Sequence, residues 1–189
     1  MSYALNEVEA MAKKAVRGAG LSWGLAEDAA KATRWLCECG QDGVGALAAA
    51  LHEPDLSDGP LVQGVGISDG AAGLVDAPMR FGAVSTPMLL LPFAAMAARQ
   101  LGRTVTVECD GQSATTNGVA LSMNAPLSGG SAVTIRIGGT LEAPCGAHTR
   151  AEPASQDWET LSTFAHRTYA PATEASRLLG AGAGLSDND

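Results

Sequence analysis

The stretch TVTVECDGQSATTNGVALSM, residues 104–123, decides the fold that we predict for this chain. It is rich in threonine and valine, which favour extended backbone, and two turn-forming dipeptides divide it. Asp110-Gly111 and Asn117-Gly118 are the dipeptides that type I′ hairpins require, because their glycines must take positive φ. The three strands predicted on this basis are Thr104 to Cys109, Gln112 to Thr116 and Val119 to Met123.

Further strands are predicted on both sides of this stretch. Ala132 to Ile137 follows the loop APLSGGS and extends the stretch to an antiparallel meander of four strands. Upstream, Leu61 to Ile67 reads as a strand that Gly64 and Gly66 weaken, and Arg80 to Val84 reads as another. We therefore expect an antiparallel sheet in the middle of the chain.

Helical periodicity marks both ends of the chain and one segment inside the body. Asn6 with Glu9 resembles a capping box at the start of the first helix, and Ser155 is the expected cap of a later one. The predicted helices are Leu5 to Arg17, Leu25 to Glu38, Val44 to His52, Leu91 to Leu101, Ser155 to His166 and a short one from Pro171 to Gly180.

These elements predict an α+β fold in a single domain that covers residues 1–189. A helical N-terminal unit at residues 1–58 precedes an α+β body at residues 59–189, which ends in a C-terminal tail.

The composition favours self-association. Hydrophobic residues make up 46% of the chain, but aromatic residues only 4%, and 23 residues are glycine. Only ten residues between Gly59 and Arg150 are charged. Because small side chains bury little area each, we expect close packing between elements or a homo-oligomer interface to stabilise this region.

Charge and hydropathy limit the partners. A net charge of -8 and an isoelectric point of about 4.8 argue against a nucleic-acid partner, since phosphate binding needs a basic surface. The longest apolar run, Met88 to Leu91, is too short for a membrane span. The N-terminus lacks the pattern of a secretory signal, and four cysteines are too few for a disulfide scaffold. We therefore expect a cytoplasmic protein without a membrane partner.

Cysteine and histidine spacing raises the possibility of a zinc site. Cys145 and His148 have metal-ligand spacing, and Cys37, Cys39 and Cys109 are the other candidate ligands. Cys37 and Cys39, however, lie about 200° apart around a helix, so they cannot readily chelate one ion. We favour core cysteines and predict no metal site; the sequence names no cofactor.

The C-terminal segment carries the candidate ligand-binding residues. It combines a Tyr, an acidic and a basic residue one helical turn apart, and hydroxyl groups, where a chain end is usually plain polar sequence. A small polar pocket is predicted there, and its wall is formed by Tyr169, Glu174, Ser176, Arg177 and His166. The alternatives are a surface ion pair between Glu174 and Arg177 and a solvent-facing His166.

Two blocks of sequence resemble a known family. NEVEAMAKKAVRGAGLSWGLAEDAAKATRWL at residues 6–36 and RTYAPATEASRLLGAGAGLSDND at residues 167–189 are similar to the bacterial domain-of-unknown-function family 3726. The resemblance implies a bacterial protein and brings no activity with it.

We therefore expect a cytoplasmic protein that binds a small polar metabolite, or a small enzyme, with its site near the C-terminal segment. The alternative is a non-catalytic accessory or assembly protein whose Gly/Ala-rich middle forms an interface with a partner enzyme. The sequence leaves open whether the protein is an enzyme.

Overall fold

The computed structural model describes residues 1–168 and shows an α+β fold. The helices are α1 (Leu5–Gly18), α2 (Trp23–Glu38), α3 (Gly43–Leu51), α4 (Pro60–Asp69), α5 (Leu91–Leu101) and α6 (Ser155–His166), with 3-10 turns at Ala71–Val75 and Pro87–Leu90. The strands are β1 (Tyr3–Ala4), β2 (Met79–Val84), β3 (Val105–Cys109), β4 (Gln112–Thr116), β5 (Leu121–Met123), β6 (Ser131–Ile137) and β7 (Arg150–Ala151). The helix predicted at Pro171 lies outside the described residues.

The caps at the helix starts differ from the two that the sequence predicts. Ser22 caps α2 by accepting a hydrogen bond from the Leu25 N–H at 3.2 Å. The capping box predicted at Asn6 is wrong, because α1 already begins at Leu5. At the start of α1, the Ala4 N–H instead donates a hydrogen bond to Glu7 Oε2 at 2.6 Å. Ser155 is the first helical residue of α6 and not its cap.

The five-stranded sheet has the order β2-β6-β3-β4-β5, and every pair is antiparallel. Strands β3, β4 and β5 form a meander, as predicted. The fourth strand departs from the prediction, because β6 pairs with β3 and not with β5. This pairing places Val133 and Ile135 beside Cys109 and Val107, so that all four side chains are buried. Strand β2 confirms the prediction at Arg80 to Val84.

The two turn dipeptides give different turns. Asp110 and Gly111 both have positive φ, 49° and 75°, and connect Cys109 directly to its partner Gln112, as a type I′ hairpin requires. The second turn is not type I′, because Thr116 pairs with Leu121 across a four-residue loop. Gly118 nevertheless has the predicted positive φ, 96°.

The strand predicted at Leu61 to Ile67 is wrong: this segment is helix α4. Pro60 is suited to the first helical turn, where its missing N–H costs nothing. Leu61, Gly64 and Ile67 lie on the buried face of α4. A Cβ on Gly64 would come within 2.3 Å of the Phe93 ring, so this glycine permits close contact with α5. Gly64, one of the two glycines that suggested a weak strand, therefore serves helix packing.

Helix α5 joins the helical part of the molecule to the sheet. It contacts β3 and β4 on one side and α2 and α4 on the other. Phe93 on this helix is fully buried, as are Val105 and Val107 on β3. Its end at Gly102, with φ of 62°, is the left-handed stop that the sequence predicts.

A segment at residues 138–149, which we call the strap, crosses the outer face of the sheet. Thr106 Oγ1 lies 2.9 Å from Thr115 Oγ1 and donates to the Gly138 carbonyl at 2.6 Å. The Ser122 hydroxyl donates to the Glu142 carbonyl. The strap then leaves the sheet, and the His148 N–H donates to the Glu38 carbonyl at 2.8 Å. It therefore links the sheet to the C-terminal end of α2.

The start of the chain packs beside the last described helix. Tyr3 in β1 pairs with Ala151 in β7, and its ring stacks on Trp158 of α6 at 3.7 Å between centroids. Helix α6 also packs against α1. In residues 1–168, no helix combines the length and apolar character that a membrane crossing would need.

Candidate functional site

A cleft of about 770 Å³ opens between the α2–α3 loop and residues 147–153, which include the end of the strap. We call it the polar cleft. Its lining residues are Cys37, Gly40, Gln41, Asp42, Val44, Ala147, His148, Thr149, Arg150, Ala151, Glu152 and Pro153.

The first wall is the loop between α2 and α3. Gly40 ends α2 with a φ of 73°, and its N–H donates to the Cys37 carbonyl at 3.0 Å. Asp42 caps α3, because its Oδ1 accepts the Gly45 N–H at 2.8 Å. A Cβ on Gly40 would lie 2.7 Å from His148 Nε2. The glycine thus permits the imidazole of the opposite wall to approach this loop.

The second wall carries the basic groups. The His148 backbone is fixed on α2 through Glu38, as described above. Arg150 donates from Nε to Ser2 Oγ and from Nη2 to the Ser2 carbonyl, both at 2.8 Å. These acceptors are neutral, so they orient the guanidinium group without compensating its charge. The three ion pairs found in residues 1–168 all lie outside the cleft: Lys13–Glu27, Arg34–Glu9 and Arg136–Glu108.

Two cysteines near the cleft, Cys37 and Cys39, have thiol pKa values above the ordinary one. Burial raises the pKa of the Cys37 thiol, which lines the cleft. Burial and the neighbouring Cys145 raise the pKa of Cys39 to about 12. Gln41 Nε2 donates to the Cys39 carbonyl at 3.3 Å and contacts Cys145 Sγ at 3.6 Å. The Cys37 and Cys39 thiols are therefore unsuited to act as thiolate nucleophiles at neutral pH.

The candidate zinc ligands of the sequence analysis do not form a metal-binding group in the described residues. Cys37 and His148 both line the cleft, and Cys145 lies near Cys39 through Gln41. Across the described part of the chain, no three His, Cys, Asp or Glu side chains converge as a metal ion would require.

Of the predicted ligand-binding residues, the structure describes only His166. Tyr169, Glu174, Ser176 and Arg177 lie outside the described residues. His166 is exposed at the end of α6 and borders a separate groove of about 210 Å³ between α1 and α6.

Sequence reasoning missed the cleft because its two walls lie more than 100 positions apart in the chain. Two signals were available in the sequence. Gly40 and Asp42 are a helix stop followed by a helix cap, and Cys145 to His148 is a short run without strand or helix periodicity. Neither signal indicates that the two segments meet.

The comparison with protein families finds one match. The model of the family described as "Protein of unknown function (DUF3726)" matches residues 3–74, which contain α1 to α4 and the first wall of the cleft. No curated protein and no solved structure matches the chain. The match covers the first of the two blocks that carry the resemblance, residues 6–36. It confirms the resemblance to DUF3726 over residues 3–74.

Proposed function

We propose that the protein binds a small polar metabolite in the polar cleft. One observation carries this proposal: a cleft of about 770 Å³ is bordered by ionisable side chains of both signs, Asp42, His148, Arg150 and Glu152. Its volume falls in the range of small-molecule sites, about 300–1,000 Å³. The proposal covers binding and names no reaction.

The walls of the cleft support this role because their polar groups are held in place. Arg150 is oriented by Ser2, and Asp42 is fixed at the start of α3 by the Gly45 N–H. A polar group that is already oriented loses less conformational entropy when a ligand binds. We also infer a cytoplasmic location in a bacterium; the family resemblance supports the source, and the four free cysteines support a reducing compartment.

A thermal-shift screen tests the proposal. The purified protein is heated with amino acids, hydroxy acids, sugars and nucleosides, each at millimolar concentration. A ligand present at 100 times its Kd stabilises the native state by about 2.7 kcal/mol, so a true ligand raises the melting temperature. A panel that leaves the melting temperature unchanged would contradict the proposal.

Three variants then locate the binding. His148→Gln and Arg150→Gln should weaken the response to any compound that binds in the polar cleft. Arg103→Gln is the matched control, because Arg103 is exposed and lies outside the cleft lining. If both cleft variants respond like the wild-type protein, the ligand binds elsewhere.

The second candidate is a role in association, favoured by one edge of the sheet. Within the described residues, β2 pairs only with β6, so one edge of β2 is open. Gly82 and Ala83 on this strand are exposed, and Val75 nearby is 60% exposed. An open strand edge can pair with another strand. We propose a second copy of this chain as the partner; the alternative is an accessory role, with a partner enzyme at the same edge.

A further inference from the structure

The charges around the polar cleft are more balanced than those of the whole chain. The chain carries a net charge of -8, whereas the cleft has two carboxylates, one guanidinium group and one imidazole. A ligand with several negative charges would meet Asp42 and Glu152 within an acidic protein. A ligand with several positive charges would meet Arg150. The composition of the cleft therefore favours a ligand that carries one charge of each sign.

The guanidinium group of Arg150 is arranged for a carboxylate. Its Nε and Nη2 donate to Ser2 on one side. The other edge of the planar group keeps N–H donors on Nη1 and Nη2, and two donors in one plane match the two oxygens of a carboxylate. His148, two residues earlier, adds an imidazole N–H donor to the same wall. This wall thus provides a site for the acidic end of a ligand.

The carboxylates of the cleft suit an ammonium group. Among the residues that the structure describes, neither Asp42 nor Glu152 forms an ion pair with a basic side chain. Asp42 belongs to the loop wall, opposite the chain that carries Arg150. An ammonium group has three donors and no acceptor, so carboxylate oxygens are the partners that satisfy it.

We infer that the ligand of the polar cleft is a zwitterionic α-amino acid. Arg150 and His148 bind its carboxylate, and Asp42 on the opposite wall binds its ammonium group. The inference rests on the proposed function, since it names the class of ligand for the same cleft.

Isothermal titration calorimetry with the twenty common L-amino acids tests the inference. Each amino acid that binds is compared with the corresponding 2-hydroxy acid, which lacks the ammonium group, and with the corresponding amine, which lacks the carboxylate. We expect both analogues to bind about tenfold more weakly or worse, because each loses one charged contact.

Matched variants assign the two ends of the ligand. Arg150→Gln should weaken binding of the amino acid and leave the poor binding of the amine unchanged. Asp42→Asn should weaken binding of the amino acid and spare the 2-hydroxy acid; asparagine still caps α3. The controls are Arg103→Gln and Asp55→Asn, because Asp55 also accepts a backbone N–H, that of Ser57 at 2.8 Å, but lies outside the cleft.

The results separate this inference from the proposed function. If the 2-hydroxy acid binds as tightly as the amino acid, the cleft is an anion site and the inference is wrong. If sugars or nucleosides bind while amino acids do not, the ligand class is wrong but the cleft still binds a metabolite. If no compound binds, both proposals fail.

Discussion

Cys39 shows how burial controls a single thiol. Its side chain is 6% exposed, and its pKa is raised from 9.0 to about 12 by burial first and by Cys145 second. Burial also raises the pKa of Cys37 and Cys109. In each case the native protein holds a proton that the unfolded chain releases at lower pH.

The raised pKa of Cys39 predicts that the protein loses stability in alkaline solution. Below pH 9 the thiol is protonated in both states, so the stabilisation is complete. Between pH 9 and 12 only the unfolded state ionises, and the free energy of unfolding falls by at most about 1.4 kcal/mol per pH unit for this thiol. Urea unfolding at pH 7 to 11 measures this fall. Cys39→Ala should show a shallower fall; a slope equal to that of the wild-type protein would contradict the assignment to Cys39.

The two turn dipeptides show what a short sequence can and cannot predict. Asp110-Gly111 forms the predicted type I′ turn, and a Cβ on Gly111 would have no neighbour within 4 Å. Gly118 instead contacts α5: Arg99 Nε donates to its carbonyl at 2.5 Å, and an added Cβ would lie 2.9 Å from the Ala95 carbonyl. The positive φ of Gly118 could be predicted from local chemistry. The loop length could not, because a distant helix contributes to it.

At the scale of elements, the crossing of α1 and α6 depends on one glycine. A Cβ on Gly18 would lie 1.7 Å from the Phe164 carbonyl oxygen, which belongs to the backbone of α6 and cannot rotate away. We therefore expect Gly18→Ala to force the two helices apart and to destabilise the protein by about 1–3 kcal/mol, as overpacking does. The midpoint of urea unfolding measures the effect.

Gly24→Ala is the control for this prediction. Gly24 lies in the first turn of α2, and a Cβ there would have no neighbour within 4 Å. Alanine favours a helix over glycine by up to about 1 kcal/mol, so this variant should be unchanged or slightly more stable. Equal effects of the two substitutions would mean that the contact with Phe164 does not determine the stability.

Elements with a strong local pattern could be predicted from the sequence, whereas those that depend on contacts could not. Helix α5 begins and ends as predicted, because apolar periodicity and Gly102 mark it. The sequence of helix α4 suggests a strand that its glycines weaken. The contact between Gly64 and Phe93, which explains one of these glycines, exists only in the folded protein. The polar cleft could not be predicted for the same reason, since Gly40 and His148 come together only in the folded chain.

At the scale of the whole molecule, the open edge of β2 predicts a homo-oligomer. Ala83 is exposed on this strand, so Ala83→Lys places a charge where a second strand would pair. We expect the wild-type protein to have a mass above 19.1 kDa in light scattering at micromolar concentration, and Ala83→Lys to shift it toward 19.1 kDa. Ala49→Lys, on the exposed side of α3, is the control. A wild-type mass of 19.1 kDa from high to low micromolar concentration would contradict the prediction.

The pairing of β1 with β7 has a consequence for how the chain folds as it is made. Ser2 and Arg150 are 148 positions apart, and Tyr3 stacks on Trp158. While the ribosome is still translating the central sheet, these partners of the N-terminal residues do not yet exist. Contacts of such long range form slowly. The amino-terminal end therefore reaches its final position only after α6 has emerged from the exit tunnel, and until then the α6-facing side of α1 is accessible to chaperones.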